Sequence, residues 1–181
     1  MRVVIAGLLS VLAASVTFAE EARVRSYALP DHGQFQLRVP MSWKHEVRQS
    51  PNRLPPTIVF KPQTGAAFEI FLTPIWPARP DVPTATPERL RRQVEQAAER
   101  AKPKATESTI DVKELRGSAG VGYYFSATDR APAPGEYKYL TQGLIRVGTL
   151  VTTFTLLTND EATSTVADAL AMIGSAGHAT D

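Results

Sequence analysis

The chain has no cysteine among its 181 residues. That excludes disulfides, thiolate metal sites and a lipid-anchored N-terminal cysteine, and leaves the fold to be held by its core alone. It also lacks a dominant charge. Lys and Arg number 20 against 18 Asp and Glu, so nucleic-acid binding has no global electrostatic support. Long hydrophobic runs are missing beyond the first nineteen residues, and no later stretch approaches the length of a spanning helix. Signature motifs of catalysis are missing too. There is no His-Glu-x-x-His, no Gly-x-Ser-x-Gly and no phosphate-binding Gly-x-x-x-x-Gly-Lys-Ser/Thr. Only three histidines occur, His32, His45 and His178. Asp31-His32 and His45-Glu46 are adjacent pairs whose side chains point apart, so no metal site and no cofactor are expected.

What is present begins with a leader. Arg2 gives a positive start, Val3 to Phe18 is apolar or small, and Thr17-Phe18-Ala19 is a small-x-small cleavage site followed by Glu20-Glu21. This pattern is a secretory signal peptide over residues 1–19. Its Ala-, Ser- and Gly-rich run favours cleavage over retention as an anchor. Export to the periplasm is the expectation. The mature residues 20–181 then carry one charge less than the formal +2 and suit one domain.

The mature chain alternates strands and turns. Phe35, Leu37 and Val39 mark a half-buried strand ending at Pro40. Ile58 and Phe60 mark a second, and Phe68, Ile70 and Leu72 a third. Five prolines between Pro74 and Pro87 make that stretch a stiff loop. Thr86 and Pro87 then open a helix with Leu90, Val94, Ala97 and Ala101 on one face. Thr109–Leu115 and Val121–Ala127 read as strands around a Gly117–Gly120 turn. Glu136–Leu157 is too long for one strand and is expected to fold back at Val147-Gly148-Thr149. Val166, Ala169, Leu170 and Ile173 mark a last helix, capped by Asn159 or Asp160 and ended by Gly174. The order β-β-β-α-β-β-β-β-α predicts an α+β layered domain with a mostly antiparallel sheet.

This layout, with Pro40-Met41-Ser42-Trp43 near the mature start, a Pro-rich loop before one charged helix and a long C-terminal hairpin, resembles the PsbP-like α/β/α sandwich family. The resemblance spans Tyr27 to Ala176. Its members include an extrinsic photosystem II protein, a Ran-binding nuclear import factor and many exported bacterial proteins. It implies six or seven mostly antiparallel strands flanked by helices, and it implies no catalytic residues. Fold does not fix function.

Binding features stand out more than catalytic ones. Trp76 and Arg79 lie in the Pro-rich loop, and a stiff loop bearing Trp and Arg suits a contact surface. Arg130 and Tyr137, in and after the Asp129–Gly135 loop, are candidates for the same surface. The opposing reading is that Ile75 and Trp76 tuck back to close the sandwich, and Trp43 reads as core. The charges Arg89, Arg91, Arg92 and Arg100 among Glu88, Glu95 and Glu99 read as a mixed solvated face. The expected role is therefore a non-catalytic binding or accessory protein whose partner is another envelope protein. A carrier of a small apolar ligand near Tyr123, Phe125 and Tyr139 is the alternative. A hydrolase built from Glu69, Asp111, Glu114, Asp129 or Glu136 is the third.

Overall fold

The computed structural model describes residues 21–51, 54–77, 79, 85–159 and 163–180. The expected leader, Asp160 and the whole Pro80–Pro83 stretch lie outside the described residues. Among the described residues, ten strands and two α-helices form three layers. The strands are β1 (Ala22–Ala28), β2 (Gln34–Pro40), β3 (Trp43–Arg48), β4 (Thr57–Pro62), β5 (Phe68–Ile75), β6 (Lys113–Gly117), β7 (Gly120–Thr128), β8 (Tyr139–Val147), β9 (Leu150–Thr158) and β10 (Gly177–Ala179). The helices are α1 (Pro87–Ala101), followed by a 3-10 turn over Lys102–Lys104, and α2 (Thr163–Gly174). Seven strands form one antiparallel sheet in the order β3-β4-β5-β9-β8-β7-β6, and three form a smaller one, β1-β2-β10. The α+β class and the seven-stranded antiparallel sheet flanked by helices are thus as expected. The three additional strands β1, β3 and β10 are corrections to the sequence reading.

Their absence from that reading has a physical cause. Every residue of β3 after Trp43 is exposed, and β1 buries only Tyr27, so neither carries the apolar alternation that reports a strand. Backbone pairing with β4 and β2 makes them strands instead. Strand β6 starts at Lys113, later than expected, because Ile110 is buried from a loop rather than from a ladder.

The main core lies on one face of the large sheet. Leu150, Phe154 and Leu156 of β9 alternate inward and meet Phe35, Leu37 and Val39 of β2 together with Ala169, Met172 and Ile173 of α2. Trp43 belongs to this core, 7% exposed. The β8–β9 turn falls where expected, with Gly148 at φ 61, a conformation glycine adopts without steric cost. The Asn159 side chain accepts from the Lys138 N–H at 2.8 Å; Asp160, the other residue expected to cap α2, lies outside the described residues.

The opposite face carries a smaller cluster under α1: Val94, Ala98, Ala105, Ile110, Phe125 and Ala127. Thr86 accepts from the Arg89 N–H at 3.3 Å and Pro87 stands in the first turn, as the sequence predicts. α1 lies over β7 and β8. Seven strands span about 29 Å between the outer pair, whereas one helix is about 10 Å wide. One helix on this face therefore leaves part of β9, β5, β4 and β3 without a helix over it.

Tyr27 provides a test of the main core. It is 4% exposed and its hydroxyl has no hydrogen-bond partner among the described residues. Burial pushes its pKa up to about 12, against the opposing pull of Arg25. A folded-state pKa above the unfolded value near 10 means stability that is complete below pH 10 and lost as pH rises toward 12. Tyr27→Phe is expected to remove that loss, about 2 kcal/mol at pH 12 relative to the parent, and to leave stability at pH 7 unchanged or slightly higher. Urea unfolding at pH 8 and pH 11.5 measures both; equal alkaline sensitivity of the two proteins contradicts the expectation.

Candidate functional site

The uncovered part of the sheet and the flank of α1 enclose a trough of about 530 Å³. That volume is in the range of small-ligand and peptide-side-chain sites. One wall is helical. Arg89, Gln93, Gln96 and Arg100 line the trough and stand at i, i+4, i+7 and i+11, a single stripe beside the buried Leu90-Val94-Ala98 face. The floor is sheet: Phe125 from β7, Gln142 and Leu144 from β8, Val151 and Thr153 from β9, and Ile75 from β5. Trp76, Pro77, Ala85 and Thr149 close the end nearest the start of α1.

The charged residues of α1 are all exposed, a solvated face as the sequence predicts, and its acids share one flank with Arg91 and Arg92. At 100° per residue, Glu88, Glu95 and Glu99 fall together on the side away from the trough. Arg91 pairs with Glu95 at 2.9 Å and Lys102 with Glu99 at 2.6 Å. Arg89 and Arg100 line the trough, and among the described residues neither guanidinium has an ion pair or hydrogen bond. No carboxylate lines the trough among the described residues. A helical wheel of residues 87–101 carries this signal. Knowing which flank faces the open sheet requires the fold.

The four residues expected to form one contact surface are not brought together. Trp76 follows Ile75, which pairs with Val151 at one end of the sheet. Tyr137 precedes Tyr139, which pairs with Thr158 at the other end, and the length of β5 puts about 23 Å between the two ends. Trp76 is half-buried against the main core and stacks on His32, with centroids 4.4 Å apart and an interplanar angle of 24°. The tucked-back reading of this residue thus describes most of its surface, while its remaining edge faces the trough. Arg79 is exposed. Arg130 donates to the Ala105 carbonyl at 2.7 Å, a structural tie. Burial pushes the Tyr137 pKa up, and the nearby Glu69 charge adds to this.

The aromatic trio proposed for an apolar ligand is also divided. Tyr123 and Phe125 face α1. Tyr139 pairs with Thr158 on the other face and lines a second cavity, about 340 Å³, with Ser126, Thr141, Val166 and Leu170. Glu107 borders that cavity. Burial would raise its pKa, but hydrogen bonds from the Thr128 N–H and hydroxyl outweigh burial and hold it low. It therefore stands ionised there as a tie between the 105–110 segment and β7.

The acids weighed for hydrolysis are mostly engaged in local structure. Glu69 pairs with Lys61 at 2.6 Å and Glu114 with Arg116 at 2.7 Å. Asp129 accepts from the Ala131 N–H and Glu136 from the Ala133 N–H. Ser118 donates to the Ala176 carbonyl in the β6–β7 turn. His178 Nε2 lies 2.8 Å from the His32 carbonyl, beside the Trp76 stack. Burial, with the Arg25 charge second, lowers the pKa of His45, which packs edge-on against Tyr27. Among the described residues, no three His, Asp or Glu side chains converge as metal ligands would. Among the same residues, no helix is long and apolar enough to cross a membrane.

No family model matches the chain, and no curated protein matches it. The chain is similar to a solved structure, the solution structure of cyanobacterial PsbP (CyanoP) from Synechocystis sp. PCC 6803, at 14% identity and a TM-score of 0.48. The match covers 93% of this chain and 99% of that one. The likeness is one of layout, and it carries no residue, ligand or partner across.

Proposed function

We propose that this chain is an exported, non-catalytic binding protein of the bacterial envelope, periplasmic after loss of residues 1–19, and that its site is the trough beside α1. The observation that carries this reading is the trough itself: about 530 Å³, with apolar floor residues and hydrogen-bonding residues on one wall. Convergent polar groups over an apolar floor are what binding sites present. Its described lining includes no carboxylate, histidine or thiol to move a proton. The leader supports export.

A photo-crosslinking residue placed at Gln93 in the full chain and irradiated in intact cells tests both parts. An adduct is expected at position 93 and not at Glu95, which sits on the opposite flank of α1. Equal labelling at the two positions, or none at 93, overturns the site. Intact mass of the recovered protein is expected to begin at Glu20; a Met1 start would leave the protein anchored by its leader. Adduct mass also separates a protein partner from a small carried ligand. The partly exposed floor residues Leu144 and Val151 favour the latter as a second reading, in the trough and not at Tyr139.

A further inference from the structure

We propose that the trough holds an extended, acidic peptide segment of a partner protein, its carboxylates taken by Arg89 and Arg100. This rests on the reading of the trough as the binding site and adds the class of its occupant.

Charge comes first. Of the cations on α1, Arg91 and the following Lys102 are held by the helix's own acids. Arg89 and Arg100 face the trough with no such partner among the described residues. A guanidinium binds carboxylates through two parallel N–H donors, so the wall is complementary to anions.

Spacing comes second. Eleven residues of helix place the two arginines about 16 Å apart along the axis. A single small anion does not engage both. An extended chain advances about 3.3 Å per residue and alternates its side chains between faces, so two acidic residues four positions apart share one face, about 13 Å apart, and come within reach of both long arginine side chains.

Polarity decides between a peptide and an acyl chain. Between the arginines the wall offers Gln93 and Gln96, and the floor offers Gln142. Gln142 also donates to the Thr155 hydroxyl at 3.5 Å, but an apolar chain laid here would strip water from the remaining amide groups and return no hydrogen bond to them. A primary amide has donors and an acceptor, which matches the N–H and C=O of a peptide backbone. The exposed Ile75, 40% accessible, sits beside Val151 and gives an apolar side chain of the segment a place to pack. Strand addition is not the mode, because β5, β9 and β8 are each paired on both sides. Recognition therefore runs through side chains.

The test uses fluorescein-labelled Gly-Glu-Val-Thr-Val-Glu-Gly, its twin with both glutamates replaced by glutamine, and its twin with both replaced by lysine. Fluorescence anisotropy with the mature protein is expected to show the glutamate peptide binding at least about tenfold more tightly than the glutamine twin, a difference of about 1.4 kcal/mol. Raising the salt should weaken it. Arg89→Gln and Arg100→Gln should each weaken it several-fold. The double variant Arg89→Glu, Arg100→Glu should reverse the preference and select the lysine twin. Equal binding of the glutamate and glutamine peptides, no binding of either up to millimolar concentration, or an unreversed preference in the double variant overturns the proposal. If these peptides fail while position 93 captures a small molecule, the occupant is misassigned and the trough remains the site. If position 93 captures nothing, both readings fail.

Discussion

Phe125→Ala will release α1 from the sheet while the opposite face stays packed. Phe125 is fully buried, and among the described residues it is the one large aromatic fully buried in the cluster beneath α1. Its buried companions there are Val94, Ala98, Ala105, Ile110 and Ala127, too small to close around the space it would leave. Truncating a buried phenylalanine costs about 3–5 kcal/mol, with the upper end reached where neighbours cannot collapse. The loss falls on one layer, because the main core around Phe35, Phe60 and Phe154 lies across the sheet. Hydrogen exchange in the variant is expected to accelerate first over residues 87–101 and to leave β2, β4 and β9 protected. Uniform acceleration across both layers would falsify the two-cluster account. The trough loses both floor and wall in this variant, so crosslinking at position 93 should fall with it.

Gly143→Ala should be damaging for the opposite reason, by adding one methyl where there is no room. Gly143 sits mid-strand in β8, between Tyr124 of β7 and Phe154 of β9. A Cβ there would overlap the Tyr123 carbonyl oxygen and come within 2.5 Å of Phe154 Cζ and 2.7 Å of Tyr124 Cβ. Alanine ordinarily stabilises a strand relative to glycine through backbone entropy. Here the obstacles are the backbone of a neighbouring strand and a buried ring, neither able to move without disturbing the ladder. A cost of about 3 kcal/mol is expected, seen as a lower urea midpoint at unchanged slope. Adding Phe154→Leu, which removes the ring edge, should recover part of the loss, because residues in contact do not act independently. A Gly143→Ala protein as stable as the parent would mean that the sheet relaxes around the methyl.

Legibility of the fold followed local periodicity. Phe35-Leu37-Val39, Phe68-Ile70-Leu72 and the Leu90-Val94 spacing each write their burial into two- or four-residue intervals, and the structure buries those residues. Gly148 marks its turn because few other residues tolerate positive φ there. Edge strands β1 and β3 left no such mark, since an edge can be solvated on both faces and is defined by its partner's backbone. The candidate site was less legible. Trp76 is engaged by His32, 44 positions away in sequence, so no local pattern reports whether it is free to bind. Arg130 and Tyr137 looked close to Trp76 in character, yet strand length sets them at opposite ends of the sheet.

The sequence by itself determined the absence of disulfides, the α+β class, the two amphipathic helices and the placing of Glu88, Glu95 and Glu99 on one flank of α1. Each of these is a property of composition or of neighbours within a few residues along the chain. Only the tertiary structure decided which flank of α1 overlooks open sheet, which strands lie beneath it, and that Arg89 and Arg100 face a trough instead of bulk solvent. The reason is geometric. One helix is narrower than a seven-stranded sheet, and where it comes to rest depends on Phe125 and its small neighbours packing beneath it, contacts made between residues far apart in the chain.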